Sequence, residues 1–459
     1  MASADRSRLP ALGPEPSFHF PEIRRGLLSN GLRLMTVEHR EVPVVSALVL
    51  VPFGAAADPI DRPGLAAITG DLLDEGCGDL DALGLHDRLG RLGAQLDTEV
   101  GPDASLLGLT VLERFAPRAL ALLADIVMRP RLERHEFERV RDLRLNRLQQ
   151  LREMPPALAE RAFVSLLYPR HPYGHLPIGS EASLRAMSAD EVRTFHREVY
   201  RPASVTVIAV GDASHYQLAS MVEDAFASWA APSDGRVSTV DGDVSAMPSP
   251  APTRVRLVHR AGAAQSELRI GHVSVPRSTA DYHALLVLNL VLGGQFVSRI
   301  NMNLRGDKGY TYGARTAFDF RRGPGPFVLQ ASVQSDATAA AVRESLRELE
   351  AIRGDRPVTR KELEVGRAGL TRGYPRNFET ADQLARAAAQ LALYGLPDDY
   401  YTTFVPRVLS LTEADITAVA RKHIDPSRLA AVIVGDRDKA APDLARLGLG
   451  DVMETPPET

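Results

Sequence analysis

The sequence predicts an α+β fold built from two related halves, each a mostly antiparallel sheet with helices packed on one face. The main observation is a repeat of pattern. Residues 187–212 and 411–436 share one layout, in which an N-cap residue, an amphipathic helix and a proline precede a β-branched strand ending in Val-Gly-Asp. A second echo joins GPDASLLGLTVL at 101 to GPGPFVLQASVQ at 323. The offsets are 224 and 222 residues. Because few residues are identical, the alternative explanation is that the two stretches share the order and boundaries of a helix and a strand by chance.

Individual elements follow from local patterns. Asn30-Gly31 predicts a hairpin turn, and residues 48–53 follow as an apolar strand. In the second half, SELRIGHVSV at 266–275 alternates as a half-buried strand does. Residues 134–153 predict a long charged helix. The side chains expected to face inward from that helix are Phe137, Val140, Leu148 and Leu151.

Composition shifts set the expected domain boundaries. We expect a flexible N-terminus over 1–21, a first domain over 22–230, a linker over 231–253, a second domain over 254–445 and a tail over 446–459. The linker is rich in Pro, Ser, Gly and Asp and has no periodicity.

Composition and charge exclude several classes of function. The chain has 459 residues, of which 44% are hydrophobic and 24% charged, and a formal net charge of −4. This balance gives no reason to expect nucleic acid or an acidic membrane surface as a partner. No apolar run reaches the roughly 18 residues of a spanning helix. Cys77 is the only cysteine, and the N-terminus lacks the apolar core of a secretory signal. We therefore expect a cytoplasmic protein, with the periplasm as the alternative if a signal precedes this sequence.

The segment GLAAITGDLLDEG at 64–76 carries most of the functional information. Leu65, Ile68, Leu72 and Leu73 make one apolar stripe, as in a helix that ends at Gly76. The frame resembles the GLAHxxEHxxxxG helix of the insulinase-type M16 zinc peptidases. In that motif two His bind Zn²⁺ and the Glu serves as general base.

The resemblance extends over about residues 22–440 and points to the M16B branch. It includes HPYGHLPIGS at 171, YRPASVTVIAVGD at 200 and RNFETADQLA at 376. The fold that it implies is the LuxS-like metallohydrolase fold, with two halves in a clam-shell arrangement.

The metal-binding residues of the family are absent from this sequence. The two His positions hold Ala67 and Asp71, and the Glu position holds Gly70. Aligning FERVRDLRLNRL with the family's FEREKxVVLEEI puts Arg147 at the third ligand and Val140 at a supporting Glu. The resemblance therefore implies no metal and no cofactor in this chain.

Two explanations of the substituted residues are open. We hypothesise that the Arg147 guanidinium faces Asp71 and replaces the metal as an ion pair. The alternative is that each is an independent polar substitution in a relaxed pocket.

The second half retains a different part of the family pattern. SRINMNLRGDKGYTYGARTAF at 298–318 resembles SRLxxxLREKxGLAYxV, in which an Arg and a Tyr seven residues apart hold the substrate backbone. Arg305 and Tyr312 have that spacing, with Gly309 between them. An Arg supplies a rigid fork of donors, and a Tyr hydroxyl can donate toward an oxyanion. The alternative is a surface Arg and a half-buried Tyr that flank a turn.

These observations predict a non-catalytic, substrate-binding subunit of a heterodimeric M16B zinc metallopeptidase, inactive alone. Its partner would be a chain with an intact HxxEH helix that carries the zinc, and its substrate a peptide or unfolded segment. The alternative is a peptidase-like scaffold or peptide-binding protein without a catalytic role, comparable to the core subunits of respiratory complex III. A third possibility, an active peptidase with a displaced site, lacks candidate ligands. His171 and His175 are four residues apart, but Pro172 and Gly174 between them exclude a helical pair.

Overall fold

The structure is a computed structural model that describes residues 18–230, 243–249, 254–447, 450 and 452–455. Each half contributes one six-stranded sheet. In the part of the chain that the structure describes, no helix is long and apolar enough to cross a membrane.

The first sheet has the order β1-β2-β8-β3-β7-β6. Only the β2–β8 pair is parallel. A small hairpin, in which β4 and β5 have two residues each, lies outside this sheet. The strands of the first half are β1 (Ile23–Leu27), β2 (Arg33–Glu38), β3 (Val44–Val51), β4 (Gly76–Cys77), β5 (Leu80–Asp81), β6 (Gln95–Val100), β7 (Ser105–Leu112) and β8 (Thr206–Gly211).

The second sheet repeats this arrangement, with the order β11-β12-β10-β13-β9-β14. Its strands are β9 (Val255–His259), β10 (Gln265–Val273), β11 (Thr311–Phe318), β12 (Pro326–Gln334), β13 (Ala430–Gly435) and β14 (Val452–Thr455). If the outer strands β1 and β14 are set aside, the two orders and their strand directions are identical, with β9–β13 parallel where β2–β8 is parallel. The predicted α+β fold of two related halves is confirmed.

The helices divide evenly between the halves. Those of the first half are α1 (Leu65–Asp71), α2 (Ala82–Leu92), α3 (Ala116–Met128), α4 (Arg134–Arg152), α5 (Pro155–Leu167), α6 (Glu181–Ala186), α7 (Ala189–Val199) and α8 (His215–Phe226). Those of the second are α9 (Tyr282–Leu292), α10 (Arg299–Asn301), α11 (Thr338–Ala351), α12 (Arg360–Thr371), α13 (Ala381–Tyr394), α14 (Tyr400–Ser410), α15 (Glu413–His423) and α16 (Arg437–Leu444). A π-helix, Met302–Asp307, directly continues α10. The repeated N-caps are confirmed as capping boxes, at Ser188 for α7 and Thr412 for α15.

Each half lends one helix to the other half's sheet. The aliphatic face of α5 packs on β10 and β13, and the alanine-rich face of α13 packs on β3 and β8. Both faces of each sheet are therefore covered, one by helices of its own half and the other by the exchanged helix. Consequently β10, for which the sequence predicts one exposed face, is buried from Ser266 to Val273.

Segments at both ends of the chain join the fold more closely than the predicted boundaries imply. Phe18 stacks on Phe378 with ring centroids 4.9 Å apart, and Phe20 contacts Tyr401 at 4.9 Å. In the predicted tail, β14 pairs with β9 in parallel. Residues 18–21 and 452–455, which the sequence analysis places in the flexible N-terminus and in the tail, therefore contact the two folded halves. Residues 1–17, 448–449, 451 and 456–459, and most of the predicted linker, lie outside the described residues.

Buried hydrogen bonds hold the halves together at the HPYG loop. The Tyr173 hydroxyl donates to Asp103, which follows β6, and accepts from the Gly323 backbone N–H at 3.0 Å. Asp103 also accepts from the Arg322 backbone N–H at 2.8 Å. Tyr168 donates to the Pro324 carbonyl at 3.0 Å. Burial raises the pKa of Tyr173, so this hydroxyl stays protonated and can donate.

Candidate functional site

The helix that resembles the zinc helix is present but short. It spans Leu65–Asp71, and the chain then turns before Gly76 (φ +120°) starts β4. Buried Asp58 accepts hydrogen bonds from the first backbone amides of the helix, Gly64 at 2.6 Å and Ala66 at 2.7 Å. His175 Nε2 contacts the same carboxylate at 3.0 Å. The HPYG loop therefore supports the start of α1.

The two histidines of this loop serve separate partners. His171 Nδ1 accepts from the Tyr173 backbone amide at 3.1 Å, so Nε2 carries the proton and donates to the Ala246 carbonyl at 3.2 Å. Burial lowers the pKa of His171, which favours this neutral form. His175 instead faces Asp58, and the pair does not converge.

The positions that would hold one ligand and the base are filled by packing. Ala67 and Gly70 are both buried, and Ala67 is 5% exposed. A Cβ added at Gly70 would lie 2.8 Å from Val100 Cγ2 and 3.4 Å from Thr98 Cγ2, both on β6. Side chains of the neighbouring strand thus occupy the room that a catalytic Glu would need at this position.

A guanidinium reaches the remaining carboxylate, but it is that of Arg144. Arg144 Nη1 donates to Asp71 Oδ2 at 2.5 Å, and Nη2 donates to the Pro177 carbonyl at 2.7 Å. The Arg144 side chain is 10% exposed and that of Asp71 45%. Arg147 is exposed and donates to Gln150 at 3.2 Å. The hypothesis of an Asp71–Arg147 pair is therefore wrong, because the arginine one turn earlier on α4 takes that place.

The apolar stripe of α4 explains the difference. Its buried residues are Phe137, Val140, Arg144 and Leu148, whereas Leu151 is half-buried. Arg144 thus stands where helical spacing calls for an apolar residue, and this is the signal that identifies it in the sequence. Val140, at the position of the family's supporting Glu, packs in the hydrophobic core of the first half.

The two acidic residues after α1 are partly buried, and one of them is paired with an arginine. Glu75 bonds Arg139, and Asp74 has its pKa raised by burial and by the charge of Glu75. Within the described ranges, no three His, Cys, Asp or Glu side chains are grouped so that they could hold a metal ion.

The second-half pair lies at the free edge of the second sheet. Tyr312 is on the edge strand β11 and is 93% exposed. Arg305 is in the π-helix that packs on β11, and its guanidinium stacks 3.5 Å over the Phe296 ring. Phe296 is itself 65% exposed and was missed by the sequence interpretation. Among the described residues, no carboxylate lies within 4.0 Å of the Arg305 guanidinium. Stacking uses the face of the guanidinium and leaves its N–H edge free.

Buried polar contacts fix the segment that carries this pair. Arg299, at the start of α10, donates to Glu362 at 2.6 Å and to the Arg356 carbonyl at 2.5 Å. Asn301 accepts from the Ala314 amide at 3.1 Å and so ties α10 to β11. Gly309 supplies the left-handed turn (φ +66°) between the π-helix and β11. The segment thus presents Arg305 and Tyr312 from a rigid base.

The structure therefore brings some of the predicted residues together and leaves others apart. Ala67, Gly70 and Asp71 share α1, whereas Arg147 is exposed on α4 and bonds Gln150. Arg305 and Tyr312 share one edge of the second sheet. Within the described ranges, no hydrogen bond or ion pair joins Asp71 to either of them.

Two family models match the chain. Residues 33–176 match the model described as insulinase (peptidase family M16), and residues 186–370 match the peptidase M16 inactive domain. An uncharacterized zinc protease of Mycobacterium tuberculosis is 26% identical over 90% of this chain and 93% of its own length. Subunit 1 of the rat mitochondrial cytochrome b-c1 complex is 24% identical over 62% of this chain and 59% of its own. A crystal structure of a peptidase M16 inactive domain from Pseudomonas fluorescens superposes with a TM-score of 0.81 at 22% identity, covering 90% of this chain and 98% of that one.

Proposed function

Because this chain belongs to peptidase family M16, we propose that it is the non-catalytic, substrate-binding subunit of a two-chain M16 zinc metallopeptidase. The observation that carries the proposal is the contrast between the two halves. The zinc positions of the first half are closed by packing and an ion pair. In the second half, Tyr312 is exposed, Arg305 is half-buried against Phe296, and neither has a carboxylate partner among the described residues.

The first half supports the non-catalytic part of the proposal. A zinc ion needs several deprotonated ligands, and Asp71 alone remains, already engaged by Arg144. The Arg144 guanidinium is fixed by a second bond to Pro177. A cation brought to this carboxylate would have to displace a charge-assisted hydrogen bond. The Zn²⁺ that activates water would therefore belong to a partner chain with an intact HxxEH helix.

The second half supports the substrate-binding part. The free N–H edge of Arg305 suits a peptide carbonyl or carboxylate, and the Tyr312 hydroxyl can donate to an oxygen that becomes negative during peptide cleavage. Phe296 and the segment anchored by Arg299 hold this pair in place. Both residues would act on a substrate held between the two chains, where exclusion of water strengthens such contacts.

The test is a mixing assay. This chain is combined with an HxxEH-bearing M16 chain of the same organism, and cleavage of a quenched fluorescent peptide is followed together with zinc content. We expect little cleavage by either chain alone, cleavage by the mixture, and zinc that tracks the partner. Arg305→Ala should lower kcat/KM of the mixture by roughly 10²–10³-fold, as loss of one preorganised donor does.

Lys308→Ala is the matched control, because Lys308 is an exposed cation in the same segment. It should leave the rate unchanged. Stoichiometric zinc on this chain, or cleavage by this chain alone, would contradict the proposal.

The second candidate function is a peptidase-like scaffold without a catalytic role. It is favoured by the similarity to a subunit of the cytochrome b-c1 complex. A pair that associates and keeps its full rate when Arg305→Ala is introduced would support this scaffold over the substrate-binding subunit.

A further inference from the structure

A second candidate binding site is a cavity of about 540 Å³ between the halves. One wall carries Glu99 of β6 and Leu106 of β7, and the others come from α9, α13, α14 and the turn Tyr374–Phe378. This cavity is separate from the vacated zinc site. Val100 and Thr98 face α1, whereas Glu99 alternates to the opposite face of β6.

A buried arginine lines the cavity without an ionic partner. Arg277 is 7% exposed. Its guanidinium lies 3.4 Å from the centroid of the Tyr282 ring and 4.9 Å from that of Tyr400. In the part of the chain that the structure describes, no carboxylate lies within 4.0 Å of it. A buried charge without a counter-charge is costly, and stacking on aromatic rings offsets only part of that cost.

The other charged side chains that line the cavity are paired with each other and not with Arg277. Glu99 and Arg386 also line the cavity, and they pair with each other at 3.2 Å. Arg386 bonds Asp382 of its own helix as well, at 3.0 Å. Tyr282 lies against the face of the guanidinium, and the Tyr400 hydroxyl accepts from one of its N–H groups, so the other N–H groups are those that a carboxylate would bind. Burial raises the pKa of Tyr400, so its hydroxyl stays protonated and can donate to the same ligand.

From this arrangement we infer that the cavity binds a peptide carboxylate, with Arg277 as its ion-pair partner and the tyrosines as its walls. The peptide would reach it along β6, which is the outer strand of the first sheet and has one free edge. A segment added to that edge points alternate side chains to the face on which Glu99 and the cavity lie. The carboxylate can come from an Asp or Glu side chain or from a peptide C-terminus. The inference rests on the proposed function for the presence of a peptide, and adds a preference for acidic groups.

The experiment measures binding of fluorescein-labelled peptides to the full chain by polarisation. Three otherwise identical hexapeptides are compared: one with a central Glu and an amidated C-terminus, one with Gln in place of that Glu, and the Gln peptide with a free C-terminus. We expect one of the two carboxylate peptides to bind at least tenfold more tightly than the amidated Gln peptide. The carboxylate peptide that binds more tightly identifies the source.

Variants then tie the preference to the cavity. Arg277→Gln should reduce the affinity for the preferred peptide by roughly ten- to hundredfold, as loss of a charged hydrogen-bonding group does. It should leave the amidated Gln peptide unaffected.

Gln390 is exposed and also lines the cavity, so it can be changed without disturbing the core. Gln390→Glu should weaken, and Gln390→Lys strengthen, binding of the carboxylate peptide by about threefold at low salt. Arg91→Gln, an exposed change on α2, is the control and should alter nothing.

Equal affinity for all three peptides, or a carboxylate preference that survives Arg277→Gln and ignores the charge at Gln390, would overturn the inference. So would the absence of measurable binding by either carboxylate peptide. The mixing assay with Arg305→Ala reports on the proposed function separately, because that assay reads cleavage of a fixed peptide and does not depend on Arg277.

Discussion

The pair between Arg144 and Asp71 can be tested by its effect on stability. Arg144→Gln removes two charge-assisted donors, one 2.5 Å from Asp71 and one 2.7 Å from the Pro177 carbonyl. Each is worth about 1.5–3 kcal/mol when fully buried. The Asp71 side chain is 45% exposed, so water replaces much of its lost partner, and the larger cost falls on the Pro177 carbonyl and on packing. We expect the free energy of unfolding to fall by about 2–3 kcal/mol.

Changing the other partner of the pair should lower the free energy of unfolding by less. Asp71→Asn keeps a hydrogen-bond acceptor but removes the charge that faces a guanidinium only 10% exposed. The expected loss is about 1–2 kcal/mol, below the value for a fully buried pair because water reaches Asp71. The two changes should not add, and a coupling free energy of about 1 kcal/mol is expected between them.

Urea unfolding followed by fluorescence is the assay. Trp229 is the only tryptophan and lies 6.0 Å from Phe226, in contact with the first core, so its emission reports on the half that holds the pair. The control is Arg147→Gln, which removes an exposed side chain whose one bonded partner among the described residues is Gln150. It should change the free energy of unfolding by less than about 0.5 kcal/mol. If Arg147→Gln is as costly as Arg144→Gln, or if the double-mutant cycle gives no coupling, the assignment of the pair is refuted.

Two further predictions concern packing and pH. Gly70→Ala should destabilise the protein by about 1 kcal/mol, because the new Cβ meets Val100 at 2.8 Å and this outweighs the gain in helix propensity. In a Val100→Ala background the same change should be neutral or stabilising, and an unchanged penalty there would show that the clash is not its cause. Burial raises the pKa of Glu362, but hydrogen bonds from Arg299 and Thr359 outweigh this and lower it to about 2. Its contribution to stability is therefore present above about pH 4.5 and lost as the pH falls toward 2, so the Tm difference between wild type and Glu362→Gln should shrink over that range.

The repeat shows how much of the fold was open to prediction. An offset near 224 residues, a proline and a terminal Val-Gly-Asp are local features, and they correctly indicate two halves with the same strand order. Which helix packs on each sheet is not determined by local sequence features. The periodicity of α5 or α13 shows which face is apolar, but not which sheet that face meets. Because the halves exchange these helices, Ser266–Val273 is buried on both faces although its pattern indicates one.

The candidate site divides in the same way. The alignment finds the changed positions Ala67, Gly70 and Asp71 from spacing alone. The partner of Asp71 depends on tertiary packing, since Arg144 and Arg147 are one turn apart and lie on adjacent parts of one helix face. The apolar stripe of α4 distinguishes the two arginines in the sequence, because Arg144 lies within the stripe and Arg147 lies outside it.

The same contacts explain how the first half stays folded without metal ligands. Hydrogen bonds between protein groups join the segments that the resemblance places around a zinc site. Asp58 holds the start of α1 and receives His175 of the HPYG loop, while Arg144 of α4 bonds both Asp71 and the Pro177 carbonyl. Helix α1, helix α4 and the loop are thus connected in a closed set of hydrogen bonds in which a guanidinium supplies the positive charge. Removing Arg144 should therefore loosen the loop as well as α1, a coupling that a vacant, relaxed pocket would not show.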